Sequence, residues 1–342
     1  MKIILDAMGG DNAPEAPVLG AVEAAKTYGI EIVLVGRGED ILAVLKKHGI
    51  DNLPEGMEIS NADDVVAMHD DPASIIHKRK NSSMVIGLKM LADGLGDAFV
   101  SAGSTGALLT GATLLVKRVK GIRRAAMAPA MPNKKGGKTV ICDCGANAEC
   151  TPEFLLQFGL VGSAYAKKQL GIPSPRVGLL NIGTEDTKGT PLQKEAYALL
   201  KDADEKGLLH FVGNVEGRDV PLGEVDVVVC DGFTGNVILK LTEGVAKMLL
   251  GMLKQMFLAN LGGKLAYLLL KGSVADLKHQ MDSEEYGGAP FLGAKQPVIK
   301  AHGSSKAKGI KNAIRQAKIC VENDLCGTMQ SALDELTTSQ AD

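Results

Sequence analysis

Residues 1–14 read MKIILDAMGGDNAP, which is a short apolar run followed by an acidic residue, a glycine pair and a proline. The run Lys2–Asp6 has the length and the aliphatic composition of a buried strand. Gly9 and Gly10 are typical of a tight turn, and Pro14 stands where a helix can begin. A strand, a turn and a helix in this order form the first part of a βαβ unit. The segment therefore predicts an α/β fold.

The same order of elements recurs along the rest of the chain. Further runs rich in Val and Ile predict strands at Glu31–Gly36, Asp97–Ser101, Thr139–Asp143, Arg176–Asn181, Leu209–Gly213, Asp226–Asp231 and Pro297–Ala301. Segments with helical periodicity follow most of these runs, and Pro72, Pro152 and Pro191 stand where helices can begin. This alternation predicts a mostly parallel sheet with helices on both faces.

No linker, repeat or low-complexity segment divides the sequence. We therefore expect residues 1–330 to form one α/β/α domain, built as a single body or as two lobes. Residues 331–342 are expected to form a C-terminal tail.

Composition restricts the classes of function. The 342 residues carry a formal net charge of −2 and include no Trp, so neither a basic field nor a stacking platform indicates a nucleic-acid partner. An uninterrupted run of only three apolar residues precedes Asp6, which argues against a signal peptide, and lysines interrupt the longest apolar stretch. The six scattered cysteines suit a reducing compartment. These features predict a cytoplasmic protein.

Glycine and small polar residues follow six of the predicted strands, each time just before a predicted helix. The residues that we expect to bind an anion there are Gly9, Gly10, Asn12, Gly103, Ser104, Thr105, Gly106, Asn181, Gly183, Asp231, Gly232, Thr234, Gly303 and Ser304. Backbone N–H groups at helix N-termini attract anions, and ligands of α/β sheets bind at the carboxyl ends of the strands. A single loop of this kind is equally well an ordinary turn or cap. Six such loops together predict a site for a phosphate-type anion.

Several common catalytic motifs are missing from the sequence. It has no G-x-x-x-x-G-K-[ST], no G-x-G-x-x-G that opens a helix, no G-x-S-x-G and no H-E-x-x-H. Cys142, Cys144 and Cys150 lack a second pair of ligands at metal-site spacing, which favours buried thiols. We expect neither a cofactor nor a metal.

One segment is strongly basic although the chain as a whole is balanced. No acid occurs between Asp97 and Asp143, and this basic segment contains Lys117, Arg118, Lys120, Arg123, Arg124, Lys134, Lys135 and Lys138. A solvated helix end with its loop would explain the cations. A docking surface for an acidic partner explains them equally well.

The stretch Val237–Leu270 is apolar except for widely spaced charges. Lys240, Lys247 and Lys254 recur every seven residues, so they share one stripe of a helix and leave a wide apolar surface. A break at residues 260–263 predicts a helical hairpin over residues 237–280. Burial in a homodimer is the more common explanation for such a surface. The alternative, which is compatible with it, is membrane contact through Phe257, Leu258 and Leu261 near the turn.

The loop motifs, taken together, resemble those of the bacterial phosphate acyltransferases of phospholipid synthesis. Residues 1–14, 101–107 and 230–236 carry most of the resemblance, and Asn181-Ile182-Gly183, Lys188-Gly189 and His302-Gly303-Ser304-Ser305 extend it. The similarity runs in order from Met1 to about Leu325.

This resemblance implies transfer of a long fatty acyl group from acyl carrier protein to inorganic phosphate. The acyl phosphate product would serve a membrane acyltransferase that acylates glycerol 3-phosphate, so association with the inner face of the plasma membrane is expected. The resemblance also implies a homodimer and a fold similar to phosphotransacetylases and to the isocitrate and isopropylmalate dehydrogenases.

The chemistry of such a transfer agrees with a chain that lacks a catalytic triad. Phosphate is already partly a dianion near neutral pH, and a thiolate leaves a thioester without strong acid help. The site must position phosphate beside the thioester and stabilise an oxyanion. We expect Lys188 to act as an electrostatic partner and Asn236 and Asn181 to act as donors. His302 is expected to donate to the oxyanion or to the leaving thiolate.

The basic segment then acquires a candidate partner, because acyl carrier protein is small and acidic. We expect docking at Arg118, Arg123, Arg124 and Lys135. Three alternatives stay open at this point. They are a phosphotransacetylase for short acyl-CoA, a nicotinamide-dependent hydroxy-acid dehydrogenase, and a non-catalytic membrane scaffold that binds acyl carrier protein.

Overall fold

The computed structural model describes residues 1–280, 285 and 287–339. In chain order the strands are β1 (Lys2–Asp6), β2 (Glu31–Gly36), β3 (Met57–Asn61), β4 (Ala98–Ser101), β5 (Ala126–Met127), β6 (Ala130–Pro132), β7 (Lys138–Cys142), β8 (Arg176–Leu180), β9 (His210–Val215), β10 (Val227–Val229), β11 (Ala289–Leu292) and β12 (Val298–Lys300). The α-helices are α1 (Glu15–Tyr28), α2 (Gly38–Lys47), α3 (Ile75–Lys78), α4 (Ser83–Ala92), α5 (Thr105–Gly111), α6 (Pro152–Gln169), α7 (Pro191–Glu205), α8 (Asp219–Leu222), α9 (Gly232–Leu258), α10 (Leu261–Gln280), α11 (Ala307–Glu322) and α12 (Leu325–Ser339).

Within the described chain these strands form two sheets. The first sheet has the order β3-β2-β1-β4-β12-β11-β5, and the second has the order β6-β7-β10-β8-β9. Pairing is parallel from β3 to β12 in the first sheet and from β7 to β9 in the second. β11, β5 and β6 add antiparallel pairs at one side of each sheet. Each sheet therefore gathers the carboxyl ends of its parallel strands along one edge.

All eight strands predicted from the sequence are present, with ends that differ by at most two residues. β3, β5, β6 and β11 were not predicted, because they are short or carry polar residues or proline and so lack an aliphatic run. The division into two sheets was also not predicted. Buried parallel strands have the same composition in either sheet, so the sequence does not specify which of them pair.

The predicted helix starts agree with the structure. Pro152 and Pro191 are the first residues of α6 and α7, where the missing N–H of proline costs nothing. Pro72 begins a 3₁₀ turn, Pro72–Ser74, and Pro14 directly precedes α1.

Close packing of α1 on α11 brings two of the glycine loops together. A Cβ added to Gly20 of α1 would stand 2.6 Å from Ala307 O and 2.6 Å from Ile310 Cβ of α11. Only glycine permits this approach without displacing the backbone of the second helix. The loops that precede the two helices, after β1 and after β12, are therefore neighbours.

The predicted hairpin is present as the antiparallel pair α9 and α10. A Cβ at Gly263 would stand 2.8 Å from the carbonyl oxygens of Met256 and Phe257, so the turn depends on glycine. Both helices expose large apolar side chains, among them Val245, Met248, Leu249, Met252, Met256, Leu265, Leu268 and Leu269. No helix of the described chain is both long enough and apolar enough to cross a bilayer.

Two expectations for these peripheral elements differ from the structure. Phe257 is only 7 % exposed because it lies on the inner face of the hairpin, where its ring centroid is 5.5 Å from that of Tyr267. The prediction that Phe257 faces the membrane is therefore wrong for this conformation. The predicted tail at 331–342 is also wrong up to Ser339, because those residues continue α12 and bury Leu333. Residues 340–342 lie outside the described chain.

Candidate active site

A cavity of about 670 Å³ opens where loops of the first sheet face α9 and the β5–β6 segment. Its polar wall includes the predicted site residues Thr105, Asn236, His302, Gly303 and Ser304. The apolar part of the lining contains Met127, Pro129, Ala130, Met131, Pro132, Leu239, Ala246 and Ala289. The cavity thus combines a polar end with a long apolar flank.

The loops after β1, β4 and β12 meet at the polar end. Asp11 N donates to Gly303 O at 2.8 Å, which joins the first loop to the third. A Cβ at Gly10 would stand 2.8 Å from Ala102 Cβ and 3.0 Å from Gly303 O. Gly10 also has φ +99°, a left-handed conformation that favours glycine. The structure therefore brings three of the six predicted loops into direct contact.

A buried carboxylate fixes two of these loops. Asp6 accepts hydrogen bonds from Ser101 Oγ at 2.7 Å and from Met8 N at 3.1 Å. Ser101 Oγ accepts in turn from Gly103 N at 3.0 Å. Burial raises the pKa of Asp6, and its hydrogen bonds oppose that shift. Asp6 therefore orients the loops rather than facing a ligand.

Several residues predicted to bind the anion use their polar groups within the loops. The Asn12 side-chain amide donates to Ser304 O at 3.0 Å and to Ser305 O at 3.2 Å. The backbone N–H of Gly103 is taken by Ser101, and that of Ser304 points to His302 Nδ1 at 3.2 Å. These groups define the shape of the site but are not its free donors.

Helix α5 supplies better donors to the same place. Ser104 caps it, with its hydroxyl accepting from Ala107 N at 3.5 Å. Thr105 and Gly106 are the first residues of the helix, and first-turn N–H groups have no acceptor within a helix. The helix dipole adds positive potential at this end.

A second buried carboxylate organises the loop after β7. Asp143 accepts hydrogen bonds from Met127 N at 2.8 Å, Cys144 N at 2.6 Å, Ala146 N at 3.2 Å and Asn147 N at 2.6 Å. The Asn147 side-chain amide donates to the same carboxylate at 2.9 Å. Gly232 N donates to Asn147 O at 2.7 Å, which joins this loop to the start of α9.

The start of α9 places Asn236 in the cavity. Asp231 is the N-cap and accepts from Thr234 N at 2.8 Å and from Thr234 Oγ1 at 2.7 Å. Asp231 and Thr234, both predicted to bind substrate, therefore satisfy each other, and Gly232 is buried beneath them. Asn236, one turn further, is exposed to the cavity and lies against Gly145 of the Asp143 loop.

His302 lies between the loop after β12 and α9. Its Nδ1 is 2.9 Å from Ser304 Oγ, and its Nε2 is 3.2 Å from Lys240 Nζ. Desolvation, followed by the charge of Lys240, lowers the pKa of His302. The ring is therefore neutral at neutral pH, so it can donate one hydrogen bond but is a poor source of a proton for the leaving thiolate.

The loop after β8 is separate from the cavity in this conformation. Asn181 closes that loop on itself, with its Nδ2 donating to Lys188 O at 3.1 Å and its Oδ1 accepting from Ile182 N at 2.8 Å. Lys188 is exposed, and its Nζ is 3.9 Å from Glu185 Oε1. Neither Asn181, Gly183 nor Lys188 lines the cavity. Their proposed roles require the loop to approach the ligand.

The basic segment divides into two groups. Arg118 and Arg124 border a second cavity of about 230 Å³ together with Ala146 and Asn147, next to the Asp143 loop. The guanidinium of Arg118 also donates to Arg123 O. Lys135 lies at the opposite end of β7, in the β6–β7 turn, and pairs with Glu224 at 3.1 Å. The predicted docking residues therefore do not form one continuous surface.

The cysteines are free thiols, and most of them are buried. Burial raises the pKa of Cys144 to about 12, and the pKa values of Cys142 and Cys230 also rise because the thiols are buried. Such thiols stay protonated and make poor nucleophiles. In the part of the chain that the structure describes, no group of three or more His, Cys, Asp or Glu side chains is placed to hold a metal.

Sequence reasoning missed the charged residues Lys240, Glu243 and Lys300 of the cavity wall, of which Lys300 is the buried one. Lys300 is the last residue of β12 and is only 9 % exposed. The signal was a lysine that closes an otherwise apolar strand, Val298-Ile299-Lys300, directly before the glycine loop. Buried lysines are rare unless they have a partner.

The chain is similar to proteins of known activity over nearly its whole length. A family model described as a fatty acid synthesis protein matches residues 1–328. A phosphate acyltransferase from Clostridium botulinum (strain ATCC 19397 / Type A) is 47 % identical over 337 residues, and the match covers 98 % of each chain. A phosphate acyltransferase from Alkaliphilus oremlandii is 48 % identical over 336 residues, again with 98 % of each chain covered. A phosphotransacetylase from Streptococcus pyogenes has the same fold, with a TM-score of 0.62 at 18 % identity over 98 % of this chain and 94 % of that one.

Proposed function

The chain belongs to the fatty acid synthesis protein family, together with the phosphate acyltransferases, and we propose that it transfers a long-chain fatty acyl group from acyl carrier protein to inorganic phosphate. It is a transferase, and acyl phosphate for phospholipid synthesis is its product. One observation supports the choice of phosphate and a long-chain acyl donor as substrates. The cavity joins three converging glycine loops to a long apolar wall, so a small anion and an alkyl chain have adjacent places.

The transfer proceeds by direct attack. An oxygen of phosphate bound at the three loops attacks the thioester carbonyl carbon, and the C–S bond then breaks to release the carrier thiol. The proton lost by the phosphate balances the proton gained by the sulfur. Asn236, which lines the cavity, is proposed to stabilise the tetrahedral oxyanion, and the N–H groups at the start of α5 are proposed to hold the phosphate. Lys188 is proposed to add positive charge when its loop approaches the bound phosphate.

The apolar wall favours a long acyl chain over a short one. The lining residues of α9 extend from Asn236 to Ala246, which corresponds to about 15 Å of helix. Met127, Met131 and Leu239 provide apolar surface beside this part of α9, which also contributes Lys240, Thr242 and Glu243 to the lining. A phosphotransacetylase for short acyl-CoA would need only the polar end of the cavity.

The function is tested by incubating the purified protein with phosphate and acyl carrier protein thioesters of several chain lengths, with acetyl-CoA in a parallel reaction. Mass spectrometry should detect acyl phosphate, with the highest yield from long-chain carriers. Product from acetyl-CoA alone would identify a short-chain phosphotransacetylase. Absence of acyl phosphate from every donor would favour a non-catalytic scaffold.

Acyl carrier protein is proposed to dock on the arginines beside the second cavity. Arg123 and Arg124 are exposed neighbours in the chain, and Arg124 borders the second cavity beside Ala146 and Asn147 of the Asp143 loop. Reversing both charges to Glu should raise the KM for acyl carrier protein by about tenfold at low salt, because rim charges mainly steer association. The KM for phosphate should stay unchanged. Lys201→Glu, an exposed reversal on α7, is the control, and an unchanged carrier KM in the double variant would exclude this surface.

The hairpin is proposed to serve two contacts. Its exposed apolar stem residues would be covered by a second copy of the chain in a homodimer, and its tip would touch the inner face of the plasma membrane. Leu258 and Leu261 at the tip are 58 % and 85 % exposed. Membrane contact would deliver acyl phosphate to the downstream glycerol-3-phosphate acyltransferase from the cytoplasmic side.

Replacing Leu258 and Leu261 with Asp should release the protein from liposomes in a flotation assay. Both changes remove apolar surface from the bilayer and add repulsion from anionic lipids. Turnover with soluble substrates should persist. Leu42→Asp, at an exposed leucine of α2, should leave binding unchanged. Normal liposome binding by the double variant would rule out the tip as the membrane contact.

A further inference from the structure

Lys300 places a positive charge beneath the loops of the proposed phosphate site. Its side chain is buried, and its ammonium donates hydrogen bonds to Ala102 O at 3.3 Å and to Ala301 O. Both carbonyls belong to loops that follow parallel strands of the first sheet, β4 and β12. The ammonium therefore lies at the edge where these strands end.

The same point is shared with the loop after β1. Ala102 O, which accepts from Lys300, lies 3.5 Å from the position of a Cβ on Gly10 and 3.9 Å from that of a Cβ on Gly303. Lys300 also lines the main cavity, together with Thr105 and Ser304. The ammonium is thus located where all three glycine loops converge, and it contributes to the cavity wall.

Among the residues that the structure describes, no carboxylate forms an ion pair with this cation. Asp6 lies nearby but is hydrogen-bonded to Ser101 and Met8, and Asp11 is exposed at the cavity wall. Lys240 of α9 adds a second positive charge. Two of the three ammonium N–H groups are used by carbonyls, which leaves one for a ligand.

We propose that Lys300 is a phosphate-binding residue that contacts the orthophosphate held by the three loops. This inference rests on the proposed function. It gives a role to the buried ammonium group that the converging loops surround. Charge-assisted hydrogen bonds to phosphate are stronger than neutral ones. An anion also offsets the free-energy cost of burying an ammonium group, which the carbonyl contacts alone offset only in part.

A structural role for Lys300 and a binding role predict different responses to pH. Burial, followed by the charge of Lys240, lowers the pKa of Lys300 to about 8, whereas Asp11 and Asp6 act in the opposite direction. The ammonium loses its proton as pH rises through that value. Bound phosphate raises the pKa of the ammonium, so phosphate affinity should fall by up to about tenfold per pH unit between the pKa of the free protein and the higher pKa of the complex. Phosphate itself is already mainly a dianion in this range.

The test is calorimetric titration of the full-length protein with inorganic phosphate between about pH 8 and about pH 10. Lys300→Met, which keeps the length of the side chain and removes its charge, should weaken phosphate binding at least about 30-fold at the lower pH and abolish most of the pH dependence. Lys295→Met, an exposed lysine of the same segment, should bind as the unmodified protein does. In turnover assays Lys300→Met should raise the KM for phosphate but not the KM for the acyl donor.

Two outcomes would overturn the proposal. The first is phosphate affinity in Lys300→Met within about twofold of the unmodified protein. The second, which applies even if that variant does not fold, is a phosphate affinity of the unmodified protein that stays constant across the pH range. If the unmodified protein binds phosphate in this manner but forms no acyl phosphate, the proposed function fails and the assignment of Lys300 stands.

Discussion

Replacing Asn236 with Ala is expected to lower kcat for acyl phosphate formation by about 100-fold or more. Asn236 faces the cavity from the first turns of α9, between the three converging loops and the apolar wall. Its amide is the side-chain donor best placed for the oxyanion that forms during transfer. Steady-state kinetics with a long-chain carrier thioester measure the effect, and circular dichroism verifies that the fold is retained.

Controls separate loss of this donor from general damage. Asn52→Ala, an exposed asparagine between α2 and β3, should have normal turnover. Lys188→Ala should also reduce turnover strongly if its loop approaches the phosphate. Normal kcat in both Asn236→Ala and Lys188→Ala would remove both residues from the mechanism.

Replacing Asp143 with Ala is expected to lower the free energy of unfolding by about 3 kcal/mol or more. The buried carboxylate accepts hydrogen bonds from four backbone amides and from the Asn147 side chain, and alanine would leave these donors without an acceptor. Urea denaturation monitored by circular dichroism measures the difference. Asp143 is also far from solvent, so water can replace the carboxylate only by entering the core.

Asp231→Ala provides a reference for the expected loss in the free energy of unfolding. Asp231→Ala removes a helix N-cap that accepts two hydrogen bonds from Thr234, and should cost only about 1 kcal/mol. An Asp143→Ala variant as stable as Asp231→Ala would show that Asp143 does not organise the loop.

The sequence is most informative where one segment carries its own signal. β1, its glycine turn and α1 follow from residues 1–28 alone, because the aliphatic run, Gly10 and Pro14 each specify a local conformation. The helical hairpin can also be predicted from the sequence. An apolar stretch that is interrupted by Asn260 and two glycines is compatible with few structures other than two helices joined by a turn.

Contacts between distant segments were less predictable. Asn12 is a plausible anion ligand in its loop, yet its amide reaches Ser304 and Ser305, which are far away in sequence. Phe257 is an apolar residue near the turn, as a membrane contact would be. Its position on α9, however, directs its ring towards Tyr267. Lys300 closes an apolar strand in the sequence, but it reaches the loop after β4 only because folding places β12 next to β4. In each case tertiary packing, which local patterns do not encode, decides the role of the side chain.

The position of bound phosphate tests the central claim most directly. A crystal structure of the protein with phosphate should show the anion against the loops after β1, β4 and β12. It should lie within hydrogen-bonding distance of Lys300 Nζ and of the first amides of α5, with Asn236 facing it. Phosphate bound only at the basic segment, or empty loops at saturating phosphate, would contradict this account.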